Sequence, residues 1–126
     1  MEMLKILTNL IFATWHFKKP NKKKVLIYDR EKEHFCRLFF SKNDYEILDS
    51  RYESINAYVV IKTLIKYGRN NFKDNYKKLF IELVSPKIVF SAIDNNPSFY
   101  NLKNLNNKPY YISFQYGMRD NQFYKE

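Results

Sequence analysis

The stretch Lys87-Ile-Val-Phe-Ser-Ala-Ile-Asp-Asn-Asn96 decides how this chain is read. An apolar, β-branched run ends abruptly in one acid and two amides, with Pro86 in front of it and Pro97 behind. A run that is polar on neither face predicts a strand covered on both sides, as in a parallel sheet between helices. In such sheets ligands bind outside the carboxyl ends of the strands. Asp94, Asn95 and Asn96 fall at that end.

The same pattern recurs on either side. Val25-Leu-Ile-Tyr28 predicts a first strand that stops at Asp29-Arg30. Phe35, Leu38 and Phe39 then recur at helical spacing and predict a helix over about 30–40, capped by Asp29. Tyr45-Glu-Ile-Leu48 predicts a second strand, stopping at Asp49-Ser50-Arg51. Ser54 is the expected cap of a helix that runs to Tyr67 and halts at Gly68. Asp74 is the expected cap of a second helix, whose apolar face carries Tyr76, Leu79, Phe80, Leu83 and Val84. Asn96 and Pro97 open a short helix over 97–105, and Tyr110-Tyr-Ile-Ser-Phe114 predicts the fourth strand. Strands alternating with helices imply right-handed crossovers and a parallel sheet. The expected fold is therefore α/β, a Rossmann-like three-layer sandwich. One four-stranded parallel sheet of order 2-1-3-4 lies between helices on both faces, with an extra N-terminal helix. Two segments are expected: residues 1–23, an amphipathic helix and basic linker, and residues 24–126, the α/β domain.

Composition limits the chemistry. The chain has 126 residues, of which 45% are hydrophobic, enough for one domain with a core. A single cysteine, Cys36, excludes an internal disulfide, and two histidines without a Cys/His cluster speak against a metal centre. Cys36 and His34 lie on the expected first helix and read as core or boundary residues. Gly68 and Gly117 are the only glycines, so there is no phosphate-cradling loop and no dinucleotide fingerprint; no cofactor is expected. No serine sits in a nucleophile elbow.

The net charge is +9, and residues 1–24 alone carry +5. Lys outnumbers Arg 17 to 5, and an AT-rich genome yields such a composition without selection for any partner. The N-terminal segment is more specific. Leu4, Leu7, Leu10 and Ile11 share a helical face over residues 3–15, and Lys18, Lys19, Lys22, Lys23 and Lys24 follow. The apolar part is far shorter than the roughly 20 residues of a bilayer span. Two readings stay open: a helix and basic cluster lying on an anionic membrane surface, with Trp15 as interfacial anchor, or a helix packed on the domain before a solvated linker. Without a recognition motif, the charge does not point to specific nucleic-acid binding.

In a parallel sheet the four strand tips meet along one edge. Acids and amides there accept hydroxyl hydrogen bonds, and arginine grips phosphate or carboxylate with two. The ligand-binding candidates are Asp29, Arg30, Asp94, Asn95, Asn96, Gln115, Gly117 and Arg119, and the set suits a polyhydroxylated or phosphorylated ligand. Helix capping and turn formation compete for the same acids and amides.

Four motifs, Val25-Leu-Ile-Tyr-Asp-Arg30, Ile47-Leu-Asp-Ser-Arg51, Ile93-Asp-Asn-Asn96 and Ile112-Ser-Phe-Gln-Tyr-Gly-Met-Arg119, together resemble the N-terminal part of the bacterial surface carbohydrate biosynthesis proteins. Those proteins look like glycosyltransferases of the GT-B fold. The resemblance covers about residues 22–124, with Tyr116 standing where the family pattern usually has Asn. It implies the acceptor-side domain of a cytoplasmic transferase-like protein, with a carbohydrate acceptor as ligand. It also implies a separately encoded C-terminal half, because GT-B donors are held mainly by the second domain. A truncated first domain is part of the same expectation, as is inactivity of the domain alone. The alternative is a stand-alone α/β ligand-binding or signalling module. A receiver-like version is disfavoured, because the first tip offers one acid beside an arginine.

Overall fold

The computed structural model describes residues 2–30, 33–49, 54–92 and 97–114. In chain order these form α1 (Glu2–Phe12), β1 (Thr14–His16), β2 (Val25–Tyr28), α2 (Glu33–Cys36), β3 (Tyr45–Leu48), β4 (Ser54–Asn56), α3 (Ala57–Tyr67), α4 (Phe72–Val84), β5 (Ile88–Ser91), α5 (Pro97–Leu105) and β6 (Tyr110–Ser113). A 3-10 turn, Lys42–Asp44, leads into β3.

Every residue of β2 is buried, as its unbroken apolar run requires of a strand covered on both faces. Four strands make the main sheet in the order β3-β2-β5-β6, all parallel. Val25 lies opposite Tyr45 on one side and Ile88 on the other, and Ile88 lies opposite Tyr110. Side chains that alternate along these strands sort into two cores. Leu26, Tyr28, Leu48 and Val89 join Val59, Tyr76, Phe80, Val84, Phe99 and Leu102 under α3, α4 and α5. Val25, Ile27, Tyr45 and Phe90 join Cys36 and Phe40 on the opposite face.

The protein is thus α/β with parallel strands, but its strands lie in two sheets instead of the expected one. β1 and β4 pair in parallel as a separate ribbon, with Trp15 opposite Ile55 and His16 opposite Asn56. Thr14 and Trp15 were expected to end the first helix, and Ser54 to cap a helix that takes in Ile55 and Asn56. Their β-branched and aromatic residues favour extended backbone once a partner strand is in place, and that partner lies some forty residues away in sequence. Asn56, not Ser54, caps α3. Its backbone is extended, and its side-chain oxygen accepts the Val59 N–H at 3.1 Å, the geometry of an N-cap to the third helical residue. Gly68 ends α3 as expected, with φ of 73° and its N–H on the Leu64 carbonyl at 3.0 Å.

Two further boundaries differ. α4 starts at Phe72, following Asn71 in left-handed conformation, so Asp74 sits in the first turn and not at the cap. The helix expected over 30–40 contracts to the single turn of α2, followed by tight turns in which Phe39 and Phe40 donate their N–H groups to the Cys36 carbonyl. Phe40, not Leu38, reaches the core, meeting Phe90 edge to face at 5.3 Å, while Leu38 is exposed. Docking of Phe40 against the sheet outweighs the helix propensity of Arg37, Leu38 and Phe39, which leave the helix after Cys36.

Candidate functional site

The strand order sets where a ligand can sit. From β2 the chain crosses to β3 on one side, and from β5 it crosses to β6 on the other. The crevice between the carboxyl ends of β2 and β5 is the topological switch point of the sheet, the usual binding place in open α/β folds. Asp29 stands there directly after β2. It is buried, its N–H extends the strand pairing to the Leu48 carbonyl at 2.9 Å, and its φ is 81°. A left-handed, non-glycine residue costs on the order of 1–3 kcal/mol and persists where its surroundings impose it, often at functional sites.

Arg30, the next residue, is tied to the tip of β3. Its backbone N–H donates to Asp49 Oδ1 at 3.2 Å and its guanidinium Nε to Asp49 Oδ2 at 3.3 Å. The Asp49 carboxylate is almost wholly buried, whereas the Arg30 side chain is 44% exposed. Burial pushes the Asp49 carboxyl above its ordinary range, and Arg30 partly offsets this by charge and hydrogen bonding. Arg30 therefore has one edge engaged and the rest of its guanidinium towards solvent.

That solvent is a cleft of about 380 Å3 running between edge strand β3 and the segment that follows β1. Lys18, Lys19, Arg30, Arg37 and Lys42 line it, against the carboxylates Glu33, Glu46 and Asp49. Glu33 is engaged by Arg37 at 3.3 Å and by the Tyr45 hydroxyl at 3.0 Å. Among the described residues no ion pair joins Lys18, Lys19 or Lys42 to a carboxylate, so the cleft carries surplus positive charge. Its inner wall is built by Asn56 and Tyr76. The Tyr76 hydroxyl accepts the Asn56 N–H at 3.0 Å, and the Asn56 amide donates to the Lys18 carbonyl at 2.8 Å, holding the lysine segment against the ribbon. Burial raises the Tyr76 phenol above its usual value, so it stays a neutral hydroxyl.

A second polar group lies at the β2 tip on the α5 side. The Tyr28 hydroxyl and Ser98 Oγ are 2.5 Å apart, and Lys77 Nζ donates to the same Ser98 oxygen at 2.9 Å. The Lys77 ammonium also sits 5.6 Å from the centre of the Tyr28 ring.

Of the expected ligand-binding residues, Asp29 and Arg30 stand side by side at the carboxyl edge. Asp94, Asn95, Asn96, Gln115, Gly117 and Arg119 lie outside the described residues, as do Ser50 and Arg51. The membrane-surface set divides. Lys18 and Lys19 line the cleft, Lys23 donates to the Asn43 carbonyl at 2.6 Å, and Lys22 and Lys24 are exposed. Trp15 belongs to β1, with its indole N–H on the Leu10 carbonyl at 3.0 Å. His34 is exposed and Cys36 buried, its thiol pushed up to about 11, first by burial and then by Glu33. Among the described residues no cluster of His, Cys, Asp and Glu is arranged to hold a metal ion. Sequence reasoning missed Lys42, Tyr76, Lys77 and Ser98, which reach the site only through packing.

The arrangement can bind an anion through its lysines and Arg30, and hydroxyl groups through its tyrosine and amide wall. Comparison with protein-family models, with curated proteins and with solved structures gives no match to this chain.

Proposed function

We propose that this protein is the acceptor-side domain of a glycosyltransferase-like protein of surface-polysaccharide biosynthesis, binding an anionic or phosphorylated carbohydrate in the cleft beside β3. The four-stranded sheet is then the Rossmann-like first half of a GT-B architecture, working in the cytoplasm with a donor-binding half. Alone, the domain binds the acceptor and transfers nothing.

One observation carries this reading. The half-engaged guanidinium of Arg30, clasped by buried Asp49 at the carboxyl edge of a parallel sheet, opens onto a cleft lined by Lys18, Lys19 and Lys42, which no ion pair joins to a carboxylate among the described residues. Arginine presented in this way matches a phosphate or carboxylate, and the neighbouring amide and phenol suit sugar hydroxyls.

The test is a titration of the protein with a hexose 1-phosphate, the corresponding free hexose and inorganic phosphate, followed by amide chemical shifts. Saturable shifts at Arg30, Lys18 and Asn56 with the sugar phosphate, weaker with either fragment, are expected. Lys18→Glu/Lys19→Glu should abolish them. Equal response to inorganic phosphate and sugar phosphate would reduce the site to a simple anion trap. Because the cleft is lined within one chain, a stand-alone ligand-binding module fits the same geometry. The two readings part if the protein, mixed with a donor-binding half, transfers a sugar to the bound ligand.

A further inference from the structure

We infer that α1 docks this protein on an anionic phospholipid surface, lying in the plane of the interface with its apolar face in the acyl boundary. The helix leaves that face bare. Met3, Leu4, Leu7 and Ile11 follow one another at helical spacing, and all four are exposed, Leu4 at 71% and Ile11 at 76%. Lys5 lies on the other side, and Thr8 flanks the apolar face with its hydroxyl donating to the Leu4 carbonyl. Phe12 and Phe17, on either side of β1, are 81% and 77% exposed. α1 packs extensively against no other described element, and the Trp15 indole on the Leu10 carbonyl ties its end to β1. Its 11 residues extend about 16 Å, roughly half of a hydrocarbon core. No helix among the described residues is long and apolar enough to cross a membrane. A short helix with a bare apolar face lies on a bilayer instead of spanning it.

Charge selects the occupant. Residues 1–24 carry +5, and Lys22 and Lys24 point to solvent without a partner carboxylate among the described residues. A second copy of this chain would bring the same positive segment against itself. An anionic bilayer offers both an acyl boundary for the apolar face and negative headgroups for the lysines. The inference does not rest on the carbohydrate reading, and that reading is measured without lipid, so either can fail alone.

The experiment is co-sedimentation of the full chain with vesicles of phosphatidylcholine alone and with vesicles containing phosphatidylglycerol. Trp15 is the only tryptophan, so its emission reports the interface directly. Binding is expected on the anionic vesicles, with a blue shift of Trp15, and at least tenfold weaker binding on neutral ones or in high salt. Leu7→Glu/Ile11→Glu should abolish sedimentation and Lys22→Glu/Lys24→Glu should weaken it several-fold. Because these side chains are exposed, both variants should melt like the parent, and the melt is recorded for each. Failure to bind anionic vesicles overturns the inference. So does a lipid-free dimer of the parent that Leu7→Glu/Ile11→Glu dissociates, because a second copy would then be the occupant.

Discussion

Asp49 holds Arg30 by two bonds, one to its backbone N–H and one to its guanidinium, and so welds the tips of β2 and β3 together. The carboxylate is buried and its folded pKa is raised. Such a group contributes stability that is present at low pH and lost as pH rises through its folded value. Removing Arg30 takes away the charge that limits this loss. Arg30→Ala should therefore cost little near pH 3, where Asp49 is protonated, and about 1–3 kcal/mol at pH 7, the scale of a lost hydrogen bond to a charged group. Urea melts at the two pH values measure this. A cost independent of pH would show that the guanidinium does not balance the Asp49 charge.

Tyr28, Ser98 and Lys77 form a chain in which the serine oxygen serves both neighbours. Ser98→Ala leaves a buried phenol without this partner and should destabilise by about 1–3 kcal/mol. Tyr28→Phe/Ser98→Ala should cost less than the two single changes added, since each removes what the other leaves stranded. Additive costs in chemical denaturation would contradict the contact.

Asn56 does two things at once. Its Oδ1 caps α3 and its Nδ2 holds the Lys18 carbonyl. Asn56→Ala should lose about 1 kcal/mol from the cap. Asn56→Asp keeps the cap acceptor and removes the donor, so it should retain most of the stability while weakening any ligand held through the lysine segment. Parallel melts and ligand titrations separate the two roles.

The Cys36 thiol is buried and pushed up to about 11. It should react with a maleimide at pH 7.5 far more slowly in the native protein than in urea, because the thiolate is the nucleophile. With a folded pKa above the ordinary value of about 8.5, its contribution to stability is intact below that pH and declines as pH climbs towards 11. Rapid native labelling would place the thiol at the surface.

Much of the layering was legible because burial on both faces leaves an unambiguous mark. β2 and β5 read as apolar runs bounded by polar residues, and α4 as a regular apolar stripe. Each signal is local, set by the period of one element. The place of Asp29 and Arg30 at the tip of β2 was legible for the same reason, since they stand where an apolar run stops. The ribbon of β1 and β4 was not legible. Three residues carry too little periodicity to declare a strand, and Thr14-Trp15-His16 extends only because Ser54-Ile55-Asn56 lies beside it. Phe40 displaced Leu38 from the core for a similar reason, since edge-to-face contact with Phe90 is decided across the sheet.

By itself, the order of residues determined an α/β domain of parallel strands, the acidic and basic stops at the strand ends, and an N-terminal helix with an apolar side. Hydrophobic period and charge placement are properties of the chain, written before it folds. The tertiary structure alone decided that Lys18 and Lys19 face a cleft, that Asp49 is buried against Arg30, and that Ser98 bridges Tyr28 and Lys77. Those relationships join groups many residues apart, and only close packing converts such separation into distances at which charges and hydrogen bonds act.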